Sequence, residues 1–251
     1  MKTRLDVWLV ERALAESRSK AQALVMEGKV RVAGQVERKS SRMVDEGVEV
    51  EVEAPPRFVS RGGEKLEGAF RCFGAADFVE PLVAEGKVCI DVGSSTGGFT
   101  DCLLQHGAEF VMAVDVGTNQ LAYKLRVDPR VWVKENYNAR YMSAADLPRV
   151  PTLAVTDVSF ISLKLILPPI RDVLAAGGHI VALIKPQFEV GKGNAPGGLV
   201  RDEALRLEAR DRIVKFAQEE LGLELLGLEE SPIRGREMGN IEYLSYWKKR
   251  A

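Results

Sequence analysis

Between Val88 and Lys185, five short apolar runs, VCIDV, FVMAVDV, VWVKEN, LAVTDV and HIVALIK, alternate with helix-like segments. This alternation narrows the possible folds sharply. Parallel neighbours need long crossovers, which helices supply, so the pattern predicts a parallel sheet covered by helices. Two further runs, LELLGLEE and IEYLSYWK, flank the turn-rich SPIRGREMGN, which is too short for a helical crossover. They are expected to pair antiparallel as a hairpin, giving an α/β class with an antiparallel last strand.

The first run leads into Gly93-Ser94-Ser95-Thr96-Gly97-Gly98-Phe99, after which the helix-like TDCLLQH ends at Gly107. Strand, glycine turn and helix in that order place bare backbone at the carboxyl end of a strand, where doubly wound sheets bind ligands. Asp115 closes the next strand 24 residues after Asp91. An acid at roughly 20 residues' offset can hold ribose hydroxyls, so the spacing suits an adenosine-containing ligand. Ser95 occupies the second glycine position of GxGxxG, and no lysine follows Gly98 as a P-loop requires. Nicotinamide and P-loop chemistry are therefore disfavoured, while a purely structural turn is the alternative reading.

The amino-terminal stretch has a different character. Residues 1–42 hold ten bases and five acids, although the whole chain of 251 residues carries a net charge of only -1. Any nucleic-acid partner must then be met by a local basic face. Leu5, Trp8, Leu9 and Leu14, then Ala21, Leu24 and Val25, recur at helical intervals until Gly28, and short valine-alternating strands follow up to Ala54-Pro55-Pro56. Two units are expected, residues 1–56 and 57–251. The three cysteines form no CxxC pair, which points to a reduced compartment and no metal site. No leader-type apolar segment or membrane-length run is visible, so a cytoplasmic location is expected.

Three charged residues fall on one sheet edge: Asp157 closes LAVTDV, Lys185 closes HIVALIK and Glu242 opens IEYLSYWK. An antiparallel last strand begins where the parallel strands finish, so Glu242 can approach the other two. Solvated strand-end charges are the alternative. His106 and His179 suit structural roles, and neither pairs with a nucleophile in sequence.

The segments RLDVWLVERALAESRSKAQALVMEGKVRVAGQ, VSRGGEKL, DVGSSTGGFTDCLL, VDVGTNQLAYKLR, TDVSFISL, LIKPQFEVGKG and GNIEYL resemble the TlyA family, also called hemolysin A-like proteins. That family joins an S4 RNA-binding domain to an FtsJ-like ribose methyltransferase domain. The resemblance implies a small α+β S4 domain followed by a Rossmann-like S-adenosylmethionine-dependent methyltransferase. It implies a catalytic tetrad at Lys65, Asp157, Lys185 and Glu242. Cofactor contacts are implied at Asp91, Gly93, Ser94, Gly97, Gly98 and Phe99, with Asp115 at the ribose and Asn138 near adenine. A valine at Gly97 is expected to intrude on that pocket.

Arg4, Arg12, Arg18, Lys20, Lys29 and Arg31 are the candidate RNA contacts on the basic unit. The implied substrate is a cytidine ribose in the ribosomal RNA of a ribosomal subunit. The short stretch after the last strand matches the family's shorter form, which implies large-subunit RNA. The glycine-rich PQFEVGKGNAPGGLVRDE is expected to cover the substrate side. Two alternatives stand beside this reading, a membrane-active hemolysin and an RNA-binding protein without catalysis.

Overall fold

The computed structural model describes residues 2–54, 56–191, 193–235 and 238–250. The chain divides into two compact units, Met1–Pro56 and Arg57–Ala251. Pro55 of the expected break, Lys192 of the expected cover, and Arg236 and Glu237 of the last connection lie outside the described residues.

In the first unit, β1 (Lys2–Arg4) runs into α1 (Leu5–Glu11) and α2 (Arg18–Met26). Four short strands follow: β2 (Val30–Val32), β3 (Gln35–Glu37), β4 (Met43–Asp45) and β5 (Val50–Val52). Leu5, Leu9, Ala21, Val25 and Val30 are wholly buried, so the helical and alternating patterns converge on one small core. Gly28 leaves α2 at φ 76°, the left-handed conformation that stops a helix. β1 pairs antiparallel with β4, although Lys-Thr-Arg carries no apolar alternation to signal it. Beneath this core edge Asp6 is fully buried. It accepts from Arg4 Nη2 at 2.9 Å, Gln22 Nε2 at 2.8 Å and Arg18 Nε at 3.1 Å. The Arg4 guanidinium above all holds the Asp6 carboxyl well below the usual range, against the effect of burial.

The second unit opens with α3 (Gly62–Phe73), followed by β6 (Val88–Val92), α4 (Gly98–Gln105), β7 (Phe110–Val114), α5 (Tyr123–Arg126) and β8 (Val131–Lys134). It continues through β9 (Leu153–Thr156), α6 (Leu167–Val173), β10 (His179–Ile184), α7 (Glu203–Glu219), β11 (Leu223–Glu230) and β12 (Tyr243–Lys249). Seven strands form one sheet in the order β11-β12-β10-β9-β6-β7-β8, and β12 runs antiparallel to both of its neighbours. The α/β class and the antiparallel final strand follow the sequence pattern.

The strands are apolar on both faces because helices cover both. Cys89, Val111, Val155, Val181 and Leu183 pack with Leu66, Phe70 and Phe73 of α3 and Leu103 of α4. Alternate positions Ile90, Met112, Ala154, Ile180 and Trp247 pack with Ile170 of α6 and Ile213 of α7. Chain order reverses at the β6/β9 boundary, since β7 and β8 extend from β6 on one side and β9, β10 and β12 on the other. Such a reversal opens a crevice at the strand carboxyl ends, and it lies between the glycine turn and the segment carrying Asp157.

Candidate active site

The turn leaving β6 is built from glycines for two different reasons. Gly97 sits at φ 98°, and an added Cβ would lie 2.4 Å from Leu125 Cδ1 and 2.7 Å from Leu121 Cδ1. A side chain there would strike the apolar support of the loop. This corrects the expectation that a valine would enter the pocket. Gly98 instead allows close packing of α3 on α4, because its Cβ would lie 2.3 Å from Ser60 Oγ and 2.7 Å from Gly63 N.

Below the turn, Asp91 is fully buried and accepts from Thr100 Oγ1 at 2.7 Å. Burial pushes its carboxyl up to about 7, with the Thr100 hydrogen bond opposing. Asp115 accepts from Ser95 N at 2.7 Å and Gly117 N at 2.6 Å, and so fastens the glycine turn to the next loop.

Four charged side chains from separate elements meet beside this turn. Lys65 Nζ, on the first turns of α3, lies 2.7 Å from Glu242 Oε2 and 3.3 Å from Asp157 Oδ2. Asp157 Oδ1 lies 2.6 Å from Lys185 Nζ. The order Glu242, Lys65, Asp157, Lys185 is an alternating chain of charge with no net sum. Glu242 keeps only 2% of its side-chain surface and Lys185 only 8%, so neither is an ordinary solvated strand-end charge. Lys185 Nζ also donates to Ser159 Oγ at 2.8 Å, and Gln187 Nε2 donates to Glu242 Oε1 at 3.3 Å. Asp157 Oδ1, Ser159 Oγ and, at 3.5 Å, the Asp157 backbone carbonyl surround the Lys185 ammonium, which lies on the wall of a cavity.

A cavity of about 860 Å³ joins this cluster to the glycine turn. Gly93, Ser94, Gly98 and Phe99 line it, as do Lys65, Asp157, Lys185 and Glu242. Asp91, Gly97, Asp115 and Asn138 lie off its wall: Asp91 lies below the turn, Gly97 within the turn rests on Leu121 and Leu125, Asp115 braces it, and Asn138 accepts from Arg140 N at 3.1 Å to cap a short 3-10 turn. At the mouth, Phe160 is 82% exposed with φ 62°, a backbone region unfavourable for a bulky residue, and its ring centre lies 5.2 Å from that of Phe188.

In the basic unit, the candidate RNA residues are mostly engaged. Arg4 and Arg18 bind Asp6, and Lys29 pairs with Glu27 at 2.6 Å. Arg12 lies 4.0 Å over the Trp8 ring, and Arg31 donates to Gly34 O at 3.2 Å. Lys20 is exposed.

Several site residues escaped the sequence reading. Ser159 and Gln187 sit two positions beyond Asp157 and Lys185, so adjacency to a strand-end charge was the available signal. Asn240 is buried; it accepts from Val200 N at 3.0 Å and donates to Gly198 O at 2.7 Å, pinning the glycine-rich segment. Glu67, Cys102 and His106 also come together, with ligand-type atoms within 4.8 Å of one another, a grouping that cysteine spacing did not signal. Glu67 joins from α3, a helix the sequence reading did not assign. It pairs with His106 Nε2 at 2.7 Å and Arg57 Nη1 at 2.7 Å.

The chain matches the FtsJ-like methyltransferase family over residues 58–249 and the S4 domain over residues 3–50. It is 42% identical to the 16S/23S rRNA (cytidine-2'-O)-methyltransferase TlyA of Mycobacterium tuberculosis, over 96% of this chain and 88% of that protein. The 23S rRNA (cytidine-2'-O)-methyltransferase TlyA of Campylobacter jejuni is 40% identical over 76% of this chain and 71% of its own length. A solved structure of a hemolysin-named protein from Streptococcus thermophilus aligns with TM-score 0.74 at 43% identity, covering 99% of this chain and 89% of that one. The buried charge chain thus sits in a known type of methyltransferase fold, and the chain belongs to the FtsJ-like methyltransferase family, in the branch that carries an amino-terminal S4 domain.

Proposed function

We propose that this chain transfers a methyl group from S-adenosylmethionine to the ribose 2'-oxygen of a cytidine in ribosomal RNA, with large-subunit RNA as its substrate. The observation that carries this reading is the charge chain Glu242-Lys65-Asp157-Lys185, set on the wall of a cavity that begins at the glycine turn. The names of the two TlyA relatives have 23S RNA in common, which favours the large subunit.

The residues fit a nucleoside cofactor. Gly93 leaves bare backbone at the end of β6, Ser94 and Phe99 line the same wall, and the volume is within the range of small-molecule sites. When bound, S-adenosylmethionine supplies a methyl on positively charged sulfur, so the protein's main task is to hold an oxygen in line behind that carbon.

Lys185 performs that task. Its ammonium, fixed by Asp157 and Ser159 on the cavity wall, steers the ribose oxygen and stabilises the negative charge that develops there as the hydroxyl proton passes to solvent. Lys65 is clamped between Glu242 and Asp157, and it keeps the Asp157 carboxylate aimed at Lys185. Phe160, exposed at the mouth beside Phe188, offers a ring face on which an unstacked base can rest. Extruding the nucleotide costs a few kcal/mol, which stacking on such a face offsets in part. The S4 unit supplies backbone and shape recognition of structured RNA, with affinity that falls as salt rises.

Labelled methyl transfer to separated 30S and 50S subunits, followed by mapping of the modified nucleotide, tests the reading. Label on a cytidine ribose of the 50S subunit supports it. Label confined to 30S overturns the subunit assignment, and label on a base or on protein overturns the reaction.

A further inference from the structure

We propose that Arg61 and Arg234 together clamp the phosphodiester groups flanking the nucleotide that enters the cavity. The inference rests on the RNA reading of the site and adds to it the groups that seize the polymer.

Among the described residues, the ionisable side chains on the cavity wall are Arg61, Lys65, Asp157, Lys185, Arg234 and Glu242. Both lysines are committed to the two carboxylates, at 2.6 to 3.3 Å. The tetrad therefore presents no excess positive charge to an anionic chain. The excess comes from the two arginines, and neither pairs with a carboxylate among the described residues. Two exposed guanidinium groups facing a shared cavity are suited to an anion that arrives from outside, and the planar fork of arginine matches the oxygens of a phosphodiester.

Both side chains spring from fixed backbone. Arg61 precedes the first turn of α3, where Gly63 N donates to Ser60 O at 3.1 Å and Glu64 N to Arg61 O at 3.1 Å. That turn cannot shift freely: a Cβ on Gly63 would lie 2.2 Å from Phe58 Cγ, and one on Gly98 would strike Ser60. Arg234 lies in the connection between β11 and β12, bracketed by two anchors. Ser231 N donates to Glu242 O at 2.8 Å, and Gly235 N donates to Asn240 O at 2.9 Å. The ring of Pro232 rests against Gly68 of α3, so closely that a Cβ there would lie 2.6 Å from Pro232 Cγ. Arg61 and Arg234 thus approach the cavity from the amino end of α3 and from the last connection, with Lys65 and Glu242 in the same two segments.

A clamp of this kind selects a nucleotide within a chain and not a free nucleoside. The test uses the full-length protein with Arg61→Gln, Arg234→Gln and Arg61→Lys, deproteinised 23S RNA, and a synthetic fragment spanning the mapped ribose. Each Gln variant should raise KM for RNA by about tenfold and flatten the salt dependence by roughly 0.7 to 0.9 in log-log slope, the loss of about one phosphate contact. Arg61→Lys should recover part of the loss, and calorimetry should give cofactor affinity equal to that of the parent.

Charge-neutral methylphosphonates placed one at a time beside the target ribose provide the decisive readout. In the parent, the clamped positions cost about tenfold, the effect of losing a charged phosphate contact. In a Gln variant, the phosphate held by the missing arginine costs nothing further. Equal methylphosphonate penalties in parent and variants, or cofactor affinity lost with the arginines, would overturn the clamp while leaving ribose methylation in place. A parent enzyme that methylates no ribosomal RNA would overturn the clamp and the reading beneath it together.

Discussion

Asp157 Oδ1 lies 2.6 Å from Lys185 Nζ, although the two residues leave the ends of different parallel strands, β9 and β10. The sheet brings them into contact, and the Asp157 carboxylate reaches Lys65 with its other oxygen. Replacing Asp157 with asparagine keeps the shape and removes the charge that links the two lysines. Methyl transfer should fall by roughly 100-fold or more, the usual scale for losing a positioned polar group. Single-turnover kinetics check this, and an unchanged rate would mean that the link is structural only.

Gly97→Val should act on stability. The residue's left-handed φ of 98° and the 2.4 Å approach to Leu125 combine backbone strain with overpacking. Together these cost about 2 to 5 kcal/mol. Chemical denaturation should register the loss even without cofactor; full stability with cofactor binding alone abolished would contradict this assignment.

Asp91 gives the unit a pH dependence of definite sign. Its carboxyl moves from an ordinary value of 3.8 to about 7 on burial, so the folded state keeps a proton that the unfolded chain releases across that window. Stability then falls as pH rises from about 4 to about 7 and levels above it, by up to about 4 kcal/mol from this group. Asp91→Asn carries no charge at any of these pH values and can still accept from Thr100. Its stability relative to the parent should improve between pH 5 and pH 8, and a difference constant with pH would refute the shift.

Asn240→Ala should loosen the glycine-rich segment. The substitution removes the bonds to Gly198 O and Val200 N and leaves a buried N–H without its partner, at a cost of about 1 to 3 kcal/mol. Hydrogen exchange should speed up over residues 193–200 with little change in the sheet. Equal exchange in both proteins would show that other contacts hold the segment.

Much of this architecture could be read in the sequence because the strands announce themselves. Mostly apolar runs of four to eight residues produced β6 to β12, and strand direction alone brought Glu242 towards Asp157 and Lys185. Other features depend on contacts that periodicity does not encode. Gly97 and Gly98 look alike in sequence, yet one meets Leu125 and the other Ser60. Asp91 is implied as a cofactor contact by family resemblance, while its hydrogen bond from Thr100 could be seen only in the structure. Lys65 was located by family resemblance and not by strand pattern, since α3 lacked an assignment. The same gap concealed Glu67 as a neighbour of Cys102 and His106. Arg61 and Arg234 carried no signal until the cavity wall identified which charges were already neutralised.

The central claim is that Lys185 holds the accepting oxygen while the glycine turn holds the donor. Single-turnover methyl transfer to 50S subunits, run in parallel with calorimetry of S-adenosylmethionine binding, measures both for the parent and Lys185→Ala. The account predicts one 2'-O-methylated ribose from the parent, none above background from the variant, and equal cofactor affinity for both. Ribose methylation by Lys185→Ala at the parental rate would contradict it.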